Sequence, residues 1–272
     1  MTEHSISRYV LIGAALLALS TAEVWGQQVK LTTLPAKHFH GMGGAFVLYD
    51  LQKGTSTEYN PIACRRRFSP ASTFKILNSL IGLETGVIPD EHFVIPWDSV
   101  RRDITSWNRD QDLASAIANS VVWYYQELAR RVGAQRMAHF VDTVGYGNRD
   151  ISGGIDHFWL GSTLAISPEE QVALLRRLRE GTLPFSRRSM DIVKSILILE
   201  RTDRYVLRGK TGFATDRSGT AIGWFVGYVE RADDVYFFAC ATTSTNARRD
   251  GEKIFARRKQ NALEILKEMG IL

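Results

Sequence analysis

Only two cysteines, Cys64 and Cys240, occur in 272 residues, and no C-x-x-C pair is present. A thiolate metal cluster and a thioredoxin-like redox motif are thereby excluded. Cys240 falls in an apolar run that reads as a strand, where unpaired cysteine is common, so two free thiols are expected. Histidine is scarce as well. The six include His38-Phe39-His40, but no aspartate follows at ligand spacing and no third ligand presents itself, so no metal site and no metal-dependent hydrolase are expected. Prolines number seven and nowhere gather into a Pro/Ser-rich linker; repeats and low-complexity tracts are missing too, so nothing divides the chain into independent domains.

Long apolar runs are also lacking. Arg8 opens one from Tyr9 through Leu19, followed by the small residues Ser20, Thr21 and Ala22, and this is short for a bilayer span. It reads as a secretory signal, with an N-terminal anchor or helix as the alternative. Residues 1–26 are therefore expected to be removed, after Ala22 or after Gly26. That leaves 27–272 as a single domain of two lobes in the periplasm, with no stable membrane span. A formal charge of +5 raises the question of nucleic acid. The arginines, however, are scattered in short groups such as Arg65-Arg66-Arg67 and Arg187-Arg188 instead of forming one aromatic-interleaved stripe, so no nucleic-acid partner is expected. A basic surface of this kind attracts small anionic substrates.

With 44% hydrophobic and 23% charged residues, the composition is that of an ordinary globular protein. Alternation and turn signals over 45–60 read as a β-hairpin. Helical patterns dominate from Ser72 to about Leu199, three strands follow at 206–213, 221–230 and 235–243, and a helix closes the chain over 253–269. The expected fold is α+β: an antiparallel sheet flanked by N- and C-terminal helices, with a mostly helical lobe inserted between early and late strands. A site would then lie at the interface of the lobes.

Ser72-Thr73-Phe74-Lys75 carries the strongest chemistry. Ser69 reads as an N-cap and Pro70 as the first helical residue, so the helix is expected to begin at Ser72, with Lys75 one turn on and able to reach the serine oxygen. Three further elements follow: Ser120-Val121-Val122, Tyr146-Gly147-Asn148 and Lys210-Thr211-Gly212. On the closing helix Ile254, Arg258, Ala262, Ile265, Leu266 and Met269 share a face, so Arg258 interrupts an apolar stripe and either finds a partner or snorkels at its edge.

Taken with Trp107-Asn108-Arg109-Asp110, Phe158-Trp159-Leu160 and Gly223-Trp224-Phe225-Val226-Gly227-Tyr228, these motifs resemble the class D serine β-lactamases over nearly the whole length from Ala45 to Leu272. The resemblance implies the penicillin-recognising serine enzyme fold and hydrolysis of β-lactam antibiotics, with resistance as the outcome. It casts Ser72 as nucleophile, Ser120 as proton relay, and the backbone N–H groups of Ser72 and Phe213 as the oxyanion hole. Lys210, Thr211, Gly212 and Arg258 would bind the substrate carboxylate, and Trp107, Val122 and Leu160 would line the site, with Ile104 and the loop 214–220 shaping specificity. No cofactor is implied beyond carbon dioxide, which would N-carboxylate Lys75 with the Trp159 indole as its donor. A small-molecule β-lactam is the expected partner, and a homodimer is compatible with the sequence. The alternatives are a penicillin-binding sensor that stays acylated and a transpeptidase. Val122 speaks against the transpeptidase, since many penicillin-binding proteins carry asparagine there.

Overall fold

The computed structural model describes residues 29–272; the expected signal peptide lies outside them. Seven strands form one sheet: β1 (Val29–Leu31), β2 (Gly43–Asp50), β3 (Thr55–Tyr59), β4 (Ile198–Arg201), β5 (Tyr205–Thr215), β6 (Ala221–Arg231) and β7 (Val235–Ser244). Their spatial order is β1-β3-β2-β7-β6-β5-β4. Early and late strands therefore meet where β2 pairs with β7, with Phe46 opposite Cys240. Between β3 and β4 the chain leaves the sheet and builds the helical lobe: α1 (Pro61–Arg65), α2 (Lys75–Glu84), α3 (Leu113–Ala118), α4 (Val122–Val132), α5 (Ala134–Val144), α6 (Pro168–Glu180) and α7 (Arg187–Ile196). It closes with α8 (Ala247–Glu268).

Strand alternation assigns each face its core. Val47 and Tyr49 of β2, with Trp224, Val226 and Tyr228 of β6, face the helical lobe. Phe46, Leu48, Phe225 and Val229 face α8, where they meet Ala262, Ile265 and Leu266. Residues 221–229 of β6 are all buried, because this central strand is covered on both sides. Each fully buried large apolar side chain contributes about 1.5–3 kcal/mol. Helix α8 lies very close to β6 at Gly223, where an added Cβ would fall 2.5 Å from Ile254 Cγ2 and 3.1 Å from Arg258 Cβ. On the other face α6 is held by a capping box, Ser167 with Glu170, by Pro168 in its first turn, and by Gly181 at its C-cap with φ 75°.

Several expectations need correction. Strand β1 runs parallel to β3, so the sheet is mixed at that edge. The short edge strand β4 adds to β5 on the other side. Among the described residues the N-terminal flanking helix is a 3-10 segment, Leu34–Phe39, packed beside α8. Helix α8 starts six residues before 253, because the Asn246 side chain accepts from the Arg249 N–H and caps an earlier turn. The expectation of two free thiols holds, and both Cys64 and Cys240 are buried.

Candidate active site

Ser72 does not open an α-helix. It sits in a 3-10 turn, Ala71–Phe74, and α2 begins at Lys75. Ser69 is not its cap. The Ser69 hydroxyl donates to Trp159 O (3.1 Å) and accepts from Gly161 N–H (2.9 Å), while its carbonyl accepts from the Trp224 indole (2.8 Å). One residue thus ties the nucleophile turn to β6 and to the loop that carries Trp159. Thr73 fixes the turn from the other side, donating to Pro70 O at 2.7 Å and accepting from Gln171 at 2.7 Å. Two non-glycine residues here have left-handed backbone, Ala71 (φ 49°) and Ser120 (φ 55°). Such conformations cost about 1–3 kcal/mol each and persist only where the surroundings enforce them.

Lys75, with no exposed surface, points away from solvent and donates to Ser120 O (2.5 Å) and Ser120 Oγ (3.0 Å). Lys210 reaches the same hydroxyl at 3.0 Å and Thr211 O at 3.2 Å. The Ser120 oxygen therefore stands between two amines, one from each lobe. Burial, and then the neighbouring Lys210, hold the Lys75 amine well below the ordinary lysine range. Lys210 is pushed down to about 7 by burial and then by Arg258. Among the described residues no carboxylate counts among the influences on Lys75, Lys210 or Arg258.

Above these groups opens a cleft of about 400 Å³ whose lining includes Ser72, Ser120, Val122 and Trp107 from the helical side and Thr211, Gly212, Phe213 and Arg258 from the sheet side. Trp107 is anchored there by donating to Asn119 O at 2.9 Å. Gly212 permits β5 to pass the nucleophile turn, since a Cβ would stand 3.0 Å from Pro70 O. On α8, Arg257 is engaged by Asn261 and Glu264, whereas Arg258 lines the cleft. Leu160 packs against the helical-lobe core instead of lining the cleft. Trp159 is fully buried, stacked on Phe74 at 5.5 Å, and its Nε1 is a donor with no partner. Tyr146-Gly147-Asn148 braces the neighbouring loop, with Asn148 accepting from Ala165 N–H (2.9 Å) and donating to Thr163 O (2.8 Å).

Two contributors escape sequence reasoning. Ser69 works only through residues about ninety and more positions away, and Phe255 is an isolated exposed aromatic on α8 that the fold brings to the cleft wall. No local pattern marks Ser69; the i, i+3 spacing of Phe255 and Arg258 is the one signal available for Phe255.

Residues 38–264 match the family of penicillin binding protein transpeptidase domains. The chain is 44% identical over 234 residues to the probable β-lactamase YbxI of Bacillus subtilis, covering 86% of this chain and 84% of that protein. A crystal structure of the class D β-lactamase YbXI from Nostoc superposes with a TM-score of 0.80 at 43% identity, covering 88% of this chain and 99% of the other. The regulatory protein BlaR1 of Bacillus licheniformis is 34% identical over 85% of this chain, which spans 40% of that longer protein. With a match over 86% of the chain in sequence and 88% in fold, and a cleft lined by Ser72 and by Ser120, whose hydroxyl two buried lysines reach, the chain belongs to the class D β-lactamases.

Proposed function

We propose that the protein hydrolyses the β-lactam ring of penicillin-type antibiotics through an acyl-enzyme on Ser72. The observation that carries this reading is the Lys75 amine, wholly buried, bonded to Ser120 and influenced by no carboxylate among the described residues. A β-lactam offers a strained amide carbonyl and a carboxylate, and the cleft has a counterpart for each. The Ser72 oxygen attacks the carbonyl carbon and gives up its proton to the Lys75 side. The backbone N–H groups of Ser72 and Phe213 receive the developing oxyanion, a kind of stabilisation worth about 3–4 kcal/mol per donor. Thr211, Lys210 and Arg258 take the carboxylate, with the guanidinium supplying a planar fork. Ser120, bonded to both amines, passes a proton to the ring nitrogen as the C–N bond breaks.

Turnover then needs a base for the hydrolytic water. Burial keeps the lone pair of Lys75 free, the condition under which an amine adds carbon dioxide. The Lys75 nitrogen would hold carbon dioxide, which when bound, with loss of a proton, would supply a carboxylate able to act as a base. The residues present fit it: the Trp159 indole N–H is a buried donor without a partner, and the surrounding charge is positive. Residues 1–26, read as a secretory signal, would deliver the enzyme to the periplasm, where such antibiotics act; no helix among the described residues is long and apolar enough to cross a membrane.

The likeness to BlaR1 supports a second reading, a sensor that acylates and stays acylated. Intact mass of the purified protein after mixing with a penicillin separates the two. Rapid return to the free mass is expected; a lasting adduct would overturn hydrolysis in favour of sensing.

A further inference from the structure

Arg258 lies half-buried in the cleft with no hydrogen-bond partner for its Nε, yet its guanidinium is not loose. The carbon at its centre sits 3.8 Å from the ring centroid of Phe255, three residues earlier on the same face of α8. Phe255 is 49% exposed and lines the cleft, and its ring meets the Phe213 ring edge-on, with centroids 5.5 Å apart and planes at 88°. An exposed phenylalanine contributes little to stability, so its place against the guanidinium calls for another account. Stacking uses only the face of a guanidinium. A carboxylate partner would occupy the in-plane N–H donors that a substrate needs, whereas an aromatic face holds the same cation and leaves those donors free.

Resting on the reading of Arg258 as the carboxylate anchor, we propose that Phe255 is a positioning residue for substrate recognition: it fixes the Arg258 guanidinium over the cleft without consuming a donor. Its edge contact with Phe213 then couples the carboxylate fork to the β5 backbone that presents the oxyanion N–H.

Steady-state hydrolysis of a penicillin by the processed enzyme tests this with Phe255→Leu, Phe255→Tyr, Arg258→Ala and the double variant Phe255→Leu/Arg258→Ala. Phe255→Leu keeps the bulk and removes the π face. It should raise KM about three- to ten-fold with kcat nearly unchanged, while Phe255→Tyr restores the parent value. In the Arg258→Ala background the leucine substitution should change kcat/KM by less than about two-fold, because the group it positions is gone. An equal loss in both backgrounds would show the ring acting on substrate directly and would overturn the proposal, as would a silent Phe255→Leu. A silent Arg258→Ala overturns the anchor reading itself, and with it this one, so the two failures are told apart.

Discussion

Around Ser120, the basic side chains Lys75, Lys210 and Arg258 stand with no carboxylate influencing them among the described residues, whereas in the cavity beside β2 and β3 the carboxylates Glu58, Glu169 and Glu170 each face an arginine. In that second cavity, about 490 Å³, Glu58 is 2% exposed and lies 3.6 Å from Arg65, which also reaches Glu169 at 3.2 Å. Glu170 accepts a fork from Arg67, with contacts of 3.0 and 2.5 Å to one oxygen, and caps the start of α6. Burial alone would raise the Glu170 carboxyl, but the Arg67 bond and the Ser167 N–H prevail and hold it below the usual range. Paired charges fasten this part of the structure, although Glu58 and Glu169 each keep one buried oxygen without a hydrogen bond. Basic groups with no carboxylate partner leave a place for an anion, and burial beside a like neighbour holds an amine below its ordinary range.

The largest way to break this contrast is to remove the cleft's chemistry. Ser72→Ala should cut turnover by at least about a thousand-fold and give no covalent adduct with a penicillin. Lys75→Ala should lose as much turnover but differently, since slow acylation survives and deacylation stalls, leaving an adduct visible by mass. Arg258→Ala comes next: kcat/KM should fall by a factor corresponding to about 2 kcal/mol, mostly in KM, since the group bound is present in ground and transition states alike. Should Arg257→Ala prove the costly change instead, the register read from α8 is wrong.

Stability against pH sharpens the contrast further, since the two regions respond with opposite sign. Unfolded, Lys210 keeps its proton to its ordinary value of 10.5; folded, it releases it near 7. The unfolded chain binds more protons between those values, so Lys210 makes stability climb as pH rises from 7 toward 10 by up to about 1.4 kcal/mol per pH unit, and Lys210→Met should flatten the slope in urea unfolding by that share while the depressed Lys75 keeps its own. Glu58 is the reverse case, its carboxyl raised by burial and then by Glu169 in spite of Arg65. Its contribution is complete in acid below its ordinary value and is lost as pH rises through the raised one. Glu58→Gln should therefore gain at most about 1 kcal/mol at neutral pH and leave kcat/KM unaltered.

Local patterns carried the motifs, and spatial arrangement carried the rest. Ser72 and Lys75 were legible from spacing, and the strands β5, β6 and β7 from alternation and tight turns. Ser69-Pro70 looked like a helix start because a serine before a proline usually is one; here the hydroxyl serves Trp159 and Gly161 instead, partners no window of sequence contains. The strands β1 and β4, of three and four residues, are too short for a period of two to register. The closing helix was expected from 253 and begins at Ala247, because Asn246 caps a turn that includes a buried Gly251, a residue with no side chain to add to an apolar stripe. The imbalance of charge in the cleft was illegible altogether, because it depends on which carboxylates stay away.

Carbamylation of Lys75 is the most direct consequence of that imbalance. Enzyme equilibrated with carbon-13 bicarbonate should show a single carbamate resonance by NMR, absent in Lys75→Ala and weakened in Trp159→Phe, and activity lost in degassed acidic buffer should return with added bicarbonate. An active parent enzyme with no carbamate resonance, and with a rate indifferent to bicarbonate at every pH, would contradict the claim that burial, with Lys210 beside it, lowers the Lys75 amine enough for it to take up carbon dioxide.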